Sequence, residues 1–176
     1  MQGRQPENTH KLDCDEAVGA LKSEMFLKLE MKSNPEALCL VRATIERAAE
    51  LLHFPDDDTR AIVRSVDEAL ANVLRHAYKG ETGRPVEMVC RSVKGNANGT
   101  DQPGMEILLE DEGIAADPAQ FKGRELDDLR PGGLGLHFIN QSMDEVEFRR
   151  NQGKNQLRMV KYLSQAPQGT GSEGEK

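Results

Sequence analysis

Between Met25 and Leu163 the hydrophobic pattern switches repeatedly between a period of two and a period near 3.6, and the order of those switches restricts the fold. Phe26 followed by alternating Leu27, Leu29 and Met31 marks a strand. Ser33-Asn34-Pro35-Glu36 then supplies N-cap residues, a first-turn proline and an early acid. The helix they start, about Glu36 to Leu52, carries Leu38, Val41, Ile45, Ala48, Ala49 and Leu52 on one side. Phe54-Pro55 and three aspartates break it and open a second helix that runs to about Tyr78, where Lys79-Gly80 stops it. Its apolar face is Ile62, Val63, Val66, Ala69, Leu70, Val73, Leu74 and Ala77. Val86–Val93 and Met105–Glu110 read as strands around a polar loop, Lys94 to Gly104. A charged irregular stretch leads to Pro131, and Gly135–Met143 reads as helix. Glu145–Arg149 and Gln156–Leu163 close the chain as a hairpin across Asn151 to Asn155. Strand, helix, helix, strand, strand, helix, strand, strand predicts an α/β sandwich with helices on one face of a single sheet.

The length suits one folded domain, residues 23–164, between a polar N-terminal extension (1–22) and a low-complexity, disordered tail (165–176). A formal net charge of -7 argues against direct nucleic-acid binding by phosphate neutralisation. No apolar run approaches a membrane span, and the first residues lack the apolar segment of a signal peptide, so a cytoplasmic protein is expected. Cys14, Cys39 and Cys90 form no paired motif; reduced thiols fit, with Cys39 and Cys90 expected in the core.

Three places depart from simple core-and-surface patterning. Glu68, Asn72 and His76 form a polar stripe at i, i+4, i+8 on the second helix. A carboxylate and an uncharged amide one turn apart place a base and a metal-binding oxygen about 6 Å from each other along the axis; the same stripe also reads as the wet side of an amphipathic helix. The second is Asp111-Glu112-Gly113, an acid at a strand end followed by a glycine, a favoured ligand position that also reads as an ordinary tight turn. The third is Pro131-Gly132-Gly133-Leu134-Gly135-Leu136, whose glycines expose backbone N–H groups at a helix start and suit phosphate. A flexible loop before a helix has the same composition. There is no P-loop, no dinucleotide fingerprint, no G-x-S-x-G elbow and no zinc-type cluster of His and Cys.

Taken in order, Glu68-Ala-x-x-Asn72, Asp111-x-Gly113 and Gly132-Gly-x-Gly135 resemble the GHKL (Bergerat-fold) ATP-binding superfamily. Glu68-Ala-x-x-Asn72-x-x-x-His76-Ala-Tyr78, Met143-Asp-Glu-Val146 and the ending Met159-Val-Lys-Tyr-Leu163 narrow the resemblance to bacterial anti-sigma-factor serine kinases of the RsbW type. It covers about residues 24 to 164. It implies a two-layer sandwich with a mixed sheet, and an ATP- and Mg²⁺-dependent serine kinase that phosphorylates a STAS-type anti-anti-sigma protein and sequesters a sigma factor, as a homodimer. By the same resemblance Asn72 holds Mg²⁺ and Glu68 is the catalytic base. Asp111 accepts a hydrogen bond from adenine, and Gly113 leaves room for the base. Gly132, Gly133, Leu134, Gly135 and Leu136 form the phosphate loop, and Phe121–Arg130 takes the place of the ATP lid. Arg42 on the first helix contacts the partner and the transferred phosphate, or else is an ordinary surface arginine.

Two positions depart from the family pattern. Ala115 replaces a second glycine after Asp111-x-Gly113, and Lys154-Asn155-Gln156 replaces the usual Gly-Thr before the last strand. An adenine-side contact is lost unless Asn155 or Gln156 substitutes for it. The rival reading is a nucleotide-dependent regulatory binding module without kinase activity. The catalytic domain of a histidine kinase ranks lower, because a dimerisation helix pair with a phosphoacceptor histidine is not expected in this length.

Overall fold

The structure, a computed structural model, describes residues 25–96, 101–115 and 134–163. The elements are β1 (Met25–Lys32), α1 (Leu38–Leu51), α2 (Asp56–Asn72), β2 (Pro85–Asn96), β3 (Asp101–Asp111), α3 (Leu134–Ser142), β4 (Glu145–Asn151) and β5 (Lys154–Tyr162). A short 3₁₀ turn, Pro35–Ala37, precedes α1, and Asn34 caps it by accepting from the Glu36 N–H at 3.0 Å. The expected succession of strands and helices is observed. The N-terminal extension, the lid segment Phe121–Arg130, Gly132, Gly133 and the tail lie outside the described residues.

The sheet runs β1-β2-β3-β5-β4, and every pairing is antiparallel, not mixed as expected. Topology explains the difference. After α3 the chain returns in β4 parallel to β3, but the hairpin partner β5 inserts between them and is antiparallel to both.

Register separates the two faces of the sheet. The rows Leu29-Met88-Leu109-Leu157-Phe148 and Leu27-Cys90-Ile107-Met159-Val146 face the helices. Val41, Ile45, Ile62, Val66 and Leu70 close the core from α1 and α2. Each such fully buried aliphatic side chain contributes about 1.5–3 kcal/mol of transfer free energy. The opposite face carries Glu30-Glu87-Glu110-Gln156-Arg149 and a lattice of ion pairs. Lys28 bridges Glu30 (2.8 Å) and Glu87 (3.1 Å), and Arg158 bridges Glu106 (2.6 Å) and Glu145 (2.7 Å).

Both hairpins are tighter than the residue pattern predicts. Lys94, Gly95 and Asn96 pair with Pro103, Gln102 and Asp101, so most of the expected loop belongs to the ladder. Gly95 and Gly104 serve packing: a Cβ on Gly104 would lie 2.7 Å from Cδ1 of Tyr162, and one on Gly95 would collide with the same side chain. The β4–β5 turn is only Gln152-Gly153, both at positive φ (49° and 84°), as a two-residue hairpin with right-handed strand twist requires. Cys90 is buried, which pushes its thiol up to about 12. Cys39, expected inside, is exposed on α1 and donates to the Glu36 carbonyl, because the apolar side of the helix falls on Val41 and Ile45 instead.

Candidate active site

Helix α2 stays α-helical through Asn72 and then widens into a π turn, Val73–Ala77, closed by the Tyr78 N–H to Val73 carbonyl bond at 2.9 Å. Glu68 and Asn72 therefore keep their one-turn spacing, while His76 lies on the widened turn and leaves the stripe. Such turns concentrate at functional sites. Ala77 ends the turn, so its carbonyl has no partner within the helix; it accepts from the Ile114 N–H at 3.0 Å. Tyr78 adds a second clamp, since its hydroxyl accepts from the Glu112 N–H at 2.9 Å and donates to the Pro85 carbonyl. The end of α2 thus holds the turn that follows β3.

That turn contains Asp111 and Gly113. A Cβ on Gly113 would sit 2.5 Å from the Ala77 oxygen and 2.6 Å from its carbonyl carbon. The clamp to the π turn by itself requires a glycine here. Asp111 is only 7% exposed. Its Oδ1 accepts from the Gly113 N–H (2.8 Å) and from Asn155 Nδ2 (2.8 Å), and among the described residues no donor reaches Oδ2. Burial raises the carboxyl above the ordinary aspartate range, opposed by the Asn155 and Gly113 hydrogen bonds and by the Arg150 charge. Such a group suits a ligand that offers one N–H donor.

Asn155 fills the place left by the missing Gly-Thr. It is buried, donates also to the Ile114 carbonyl (3.0 Å), and accepts from Arg150 at 2.6 Å. Gln156 points the other way: it pairs with Glu110 and accepts from Arg149 on the ion-paired face, so it is no substitute at this site.

At the other end of the site, Glu68 meets α3. A Cβ on Gly135 would collide with Glu68 Oε2 and lie 3.2 Å from its Cδ, so the missing side chain makes room for the carboxylate. The acid is thereby seated against the first turn of a helix, where backbone N–H groups favour negative charge. Leu134 opens α3, and Leu136 packs half-buried on the core. Phe138, one turn further on, lies under the Arg64 guanidinium at 4.2 Å and ties α3 to α2. Among the described residues neither Glu68 nor Asn72 has a side-chain hydrogen bond or ion pair.

Arg42 reaches across from α1 and places Nε and Nη2 each 2.8 Å from Asp67 Oδ2, next to Glu68 in sequence. The pair is exposed, and Asp67 raises the guanidinium further. Asp111 and Gly113, Glu68 and Gly135, and Arg42 are thus all anchored to α2 or the turn at its end. Sequence reasoning missed Tyr78, Arg150 and the π turn. The run His76-Ala77-Tyr78 belonged to the motif but pointed to no chemistry; two of its residues, Ala77 and Tyr78, hold the Asp111 turn.

The donor set is compatible with a nucleotide and its metal. Asn72 offers one neutral oxygen, and no cluster of three or more His, Cys, Asp or Glu exists among the described residues. This suits Mg²⁺, which keeps waters and phosphate oxygens as its other ligands. No helix of the described residues is long and apolar enough to cross a membrane.

A sheet with three helices on one face, an acceptor at the end of β3 and an acid against a glycine-initiated helix define a nucleotide-binding α/β domain. Residues 31–161 match the histidine kinase-like ATPase domain, and the chain belongs to that family. It is similar to the serine-protein kinase RsbW of Bacillus cereus (strain G9842), 29% identical over 150 residues that cover 80% of this chain and 88% of the relative. It is also 27% identical to RsbW of Bacillus pumilus (strain SAFR-032) over 147 residues, 79% of this chain and 86% of the relative. The RsbW-like, GHKL assignment read from the motifs is borne out.

Proposed function

We propose that this protein is an ATP-dependent serine kinase and anti-sigma factor of a partner-switching system. The observation that carries the reading is the seating of Glu68 against Gly135, which joins a potential base to the helix that follows the glycine-rich loop. Asp111 receives the exocyclic amine of adenine on Oδ2, and the backbone of Gly132, Gly133 and Gly135 surrounds the phosphates. Asn72 holds Mg²⁺ through its amide oxygen, and the ion supplies charge neutralisation on the phosphates. Glu68 takes the proton of a substrate serine as its oxygen bonds to the γ-phosphorus and the bond to the ADP oxygen breaks. Phosphoryl transfer depends mainly on positioning and charge neutralisation, so one oriented carboxylate is sufficient.

The substrate in this reading is a STAS-type anti-anti-sigma protein, and the second partner is a sigma factor. Added phosphate places about two negative charges in the STAS interface and releases it, freeing the kinase for the sigma factor. The protein works in the cytoplasm as a homodimer. Incubation with labelled ATP-Mg²⁺ and a candidate STAS protein tests this, and a labelled serine is expected. ATP binding without any labelled serine overturns the kinase reading and favours a nucleotide-dependent binding module.

A further inference from the structure

We propose that Arg150 and Asn155 are positioning residues that make Asp111 select adenine over guanine. The inference rests on the reading of Asp111 as the nucleobase acceptor. Arginine has no acceptor, so the Asn155 oxygen must face Arg150 Nη1 (2.6 Å), and both amide hydrogens must face the other way. They meet Asp111 Oδ1 (2.8 Å) and the Ile114 carbonyl (3.0 Å). The same Arg150 nitrogen reaches the Gly113 carbonyl at 3.3 Å, which staples the turn after β3 onto the β4–β5 hairpin. Both amide hydrogens of Asn155 are therefore engaged and none is left to donate to a base; it acts through Asp111.

With Oδ1 occupied by two N–H donors, Asp111 is held as a carboxylate whose Oδ2 accepts. Adenine offers an amine there, whereas guanine offers a carbonyl oxygen, which the carboxylate repels. Without the brace, a buried Asp111 more readily takes up a proton, and a protonated Oδ2 donates to that carbonyl. Burial already favours the neutral form, and Asn155 and Arg150 are two of the groups that oppose it. Selectivity then depends on an exposed arginine that need not touch the nucleotide.

The test is competition of ATP and GTP against a fluorescent ADP analogue, with wild type and Arg150→Met, Arg150→Lys, Asn155→Asp and Asp111→Asn variants of the full chain. Arg150→Met is expected to weaken ATP about 10-fold without weakening GTP, with partial recovery in Arg150→Lys. Asn155→Asp sets a second acid against Asp111 and is expected to weaken ATP about 100-fold without weakening GTP. An unchanged ATP/GTP ratio in Arg150→Met, or an equal loss for both nucleotides, overturns the proposal; because the arginine is exposed, this variant decides the matter even if Asn155→Asp does not fold. Asp111→Asn separates the two levels. If it retains wild-type ATP affinity, the reading of Asp111 itself falls; if it loses ATP while Arg150→Met matches wild type, only the brace falls.

Discussion

The two ends of the site are built on opposite plans. Around Asp111 the polar groups are tied to one another: Asn155, Arg150, Tyr78 and Ala77 hold a single turn by hydrogen bonds from β5, β4 and the end of α2. Around Glu68 and Asn72 no side-chain hydrogen bond or ion pair to a described residue exists, and the acid packs against Gly135. Under the proposed function the first end recognises, since a fixed acceptor raises selectivity. The second end would then react, its polar atoms being available for groups that arrive with the substrates.

The contrast can be broken most severely at Gly113. Gly113→Ala puts a methyl 2.5 Å from the Ala77 oxygen, so the turn must move. A loss of about 1–3 kcal/mol in stability is expected by denaturant titration, with nucleotide affinity falling in parallel. Gly135→Ala should affect the other end selectively. Displacing the Glu68 carboxylate is expected to lower transfer by up to about 100-fold at saturating ATP, with less effect on affinity; a larger effect on affinity than on transfer would deny the separation of the two ends.

Tyr78→Phe removes the acceptor of the Glu112 N–H and the donor to the Pro85 carbonyl. A cost of about 1–3 kcal/mol is expected in thermal unfolding, with ATP affinity weakened and the transfer rate at saturation preserved. The smallest effect concerns pH. Because the folded state raises the Asp111 carboxyl, ionisation of this group costs stability above the raised value, and the cost disappears as pH falls through it. Its contribution to stability thus improves on acidification while ATP affinity declines, beginning above the ordinary aspartate range. Titration of ATP affinity against pH checks this, and Asp111→Asn should remove the step.

The order of elements was legible because each stretch carries enough apolar periodicity to declare its type, and Glu68, Asn72 and Asp111 stood out through the order of their motifs, which resembles the family's. The strand pairing was not: no residue announces that β5 will insert between β3 and β4. The π turn was equally hidden, since Val73 to Ala77 look like any helical run and the carbonyl that ends it meets Ile114, 37 residues further along the chain. Asn155 was legible only as a departure, because its partner Asp111 lies 44 residues away. Gly113 and Gly135 were read as ligand-facing glycines, and each also leaves room for a close contact with α2 or its terminal turn, which no sequence pattern announces.

The measurement that bears most directly on the division between a recognising end and a reacting end is Glu68→Gln, assayed in parallel for ATP affinity and for phosphate transfer to a STAS serine. The substitution keeps the shape against Gly135 and removes the base. Affinity within about twofold of wild type, with transfer reduced by at least about 100-fold, is the predicted result. Transfer that survives in Glu68→Gln, or affinity that collapses with it, would contradict the account.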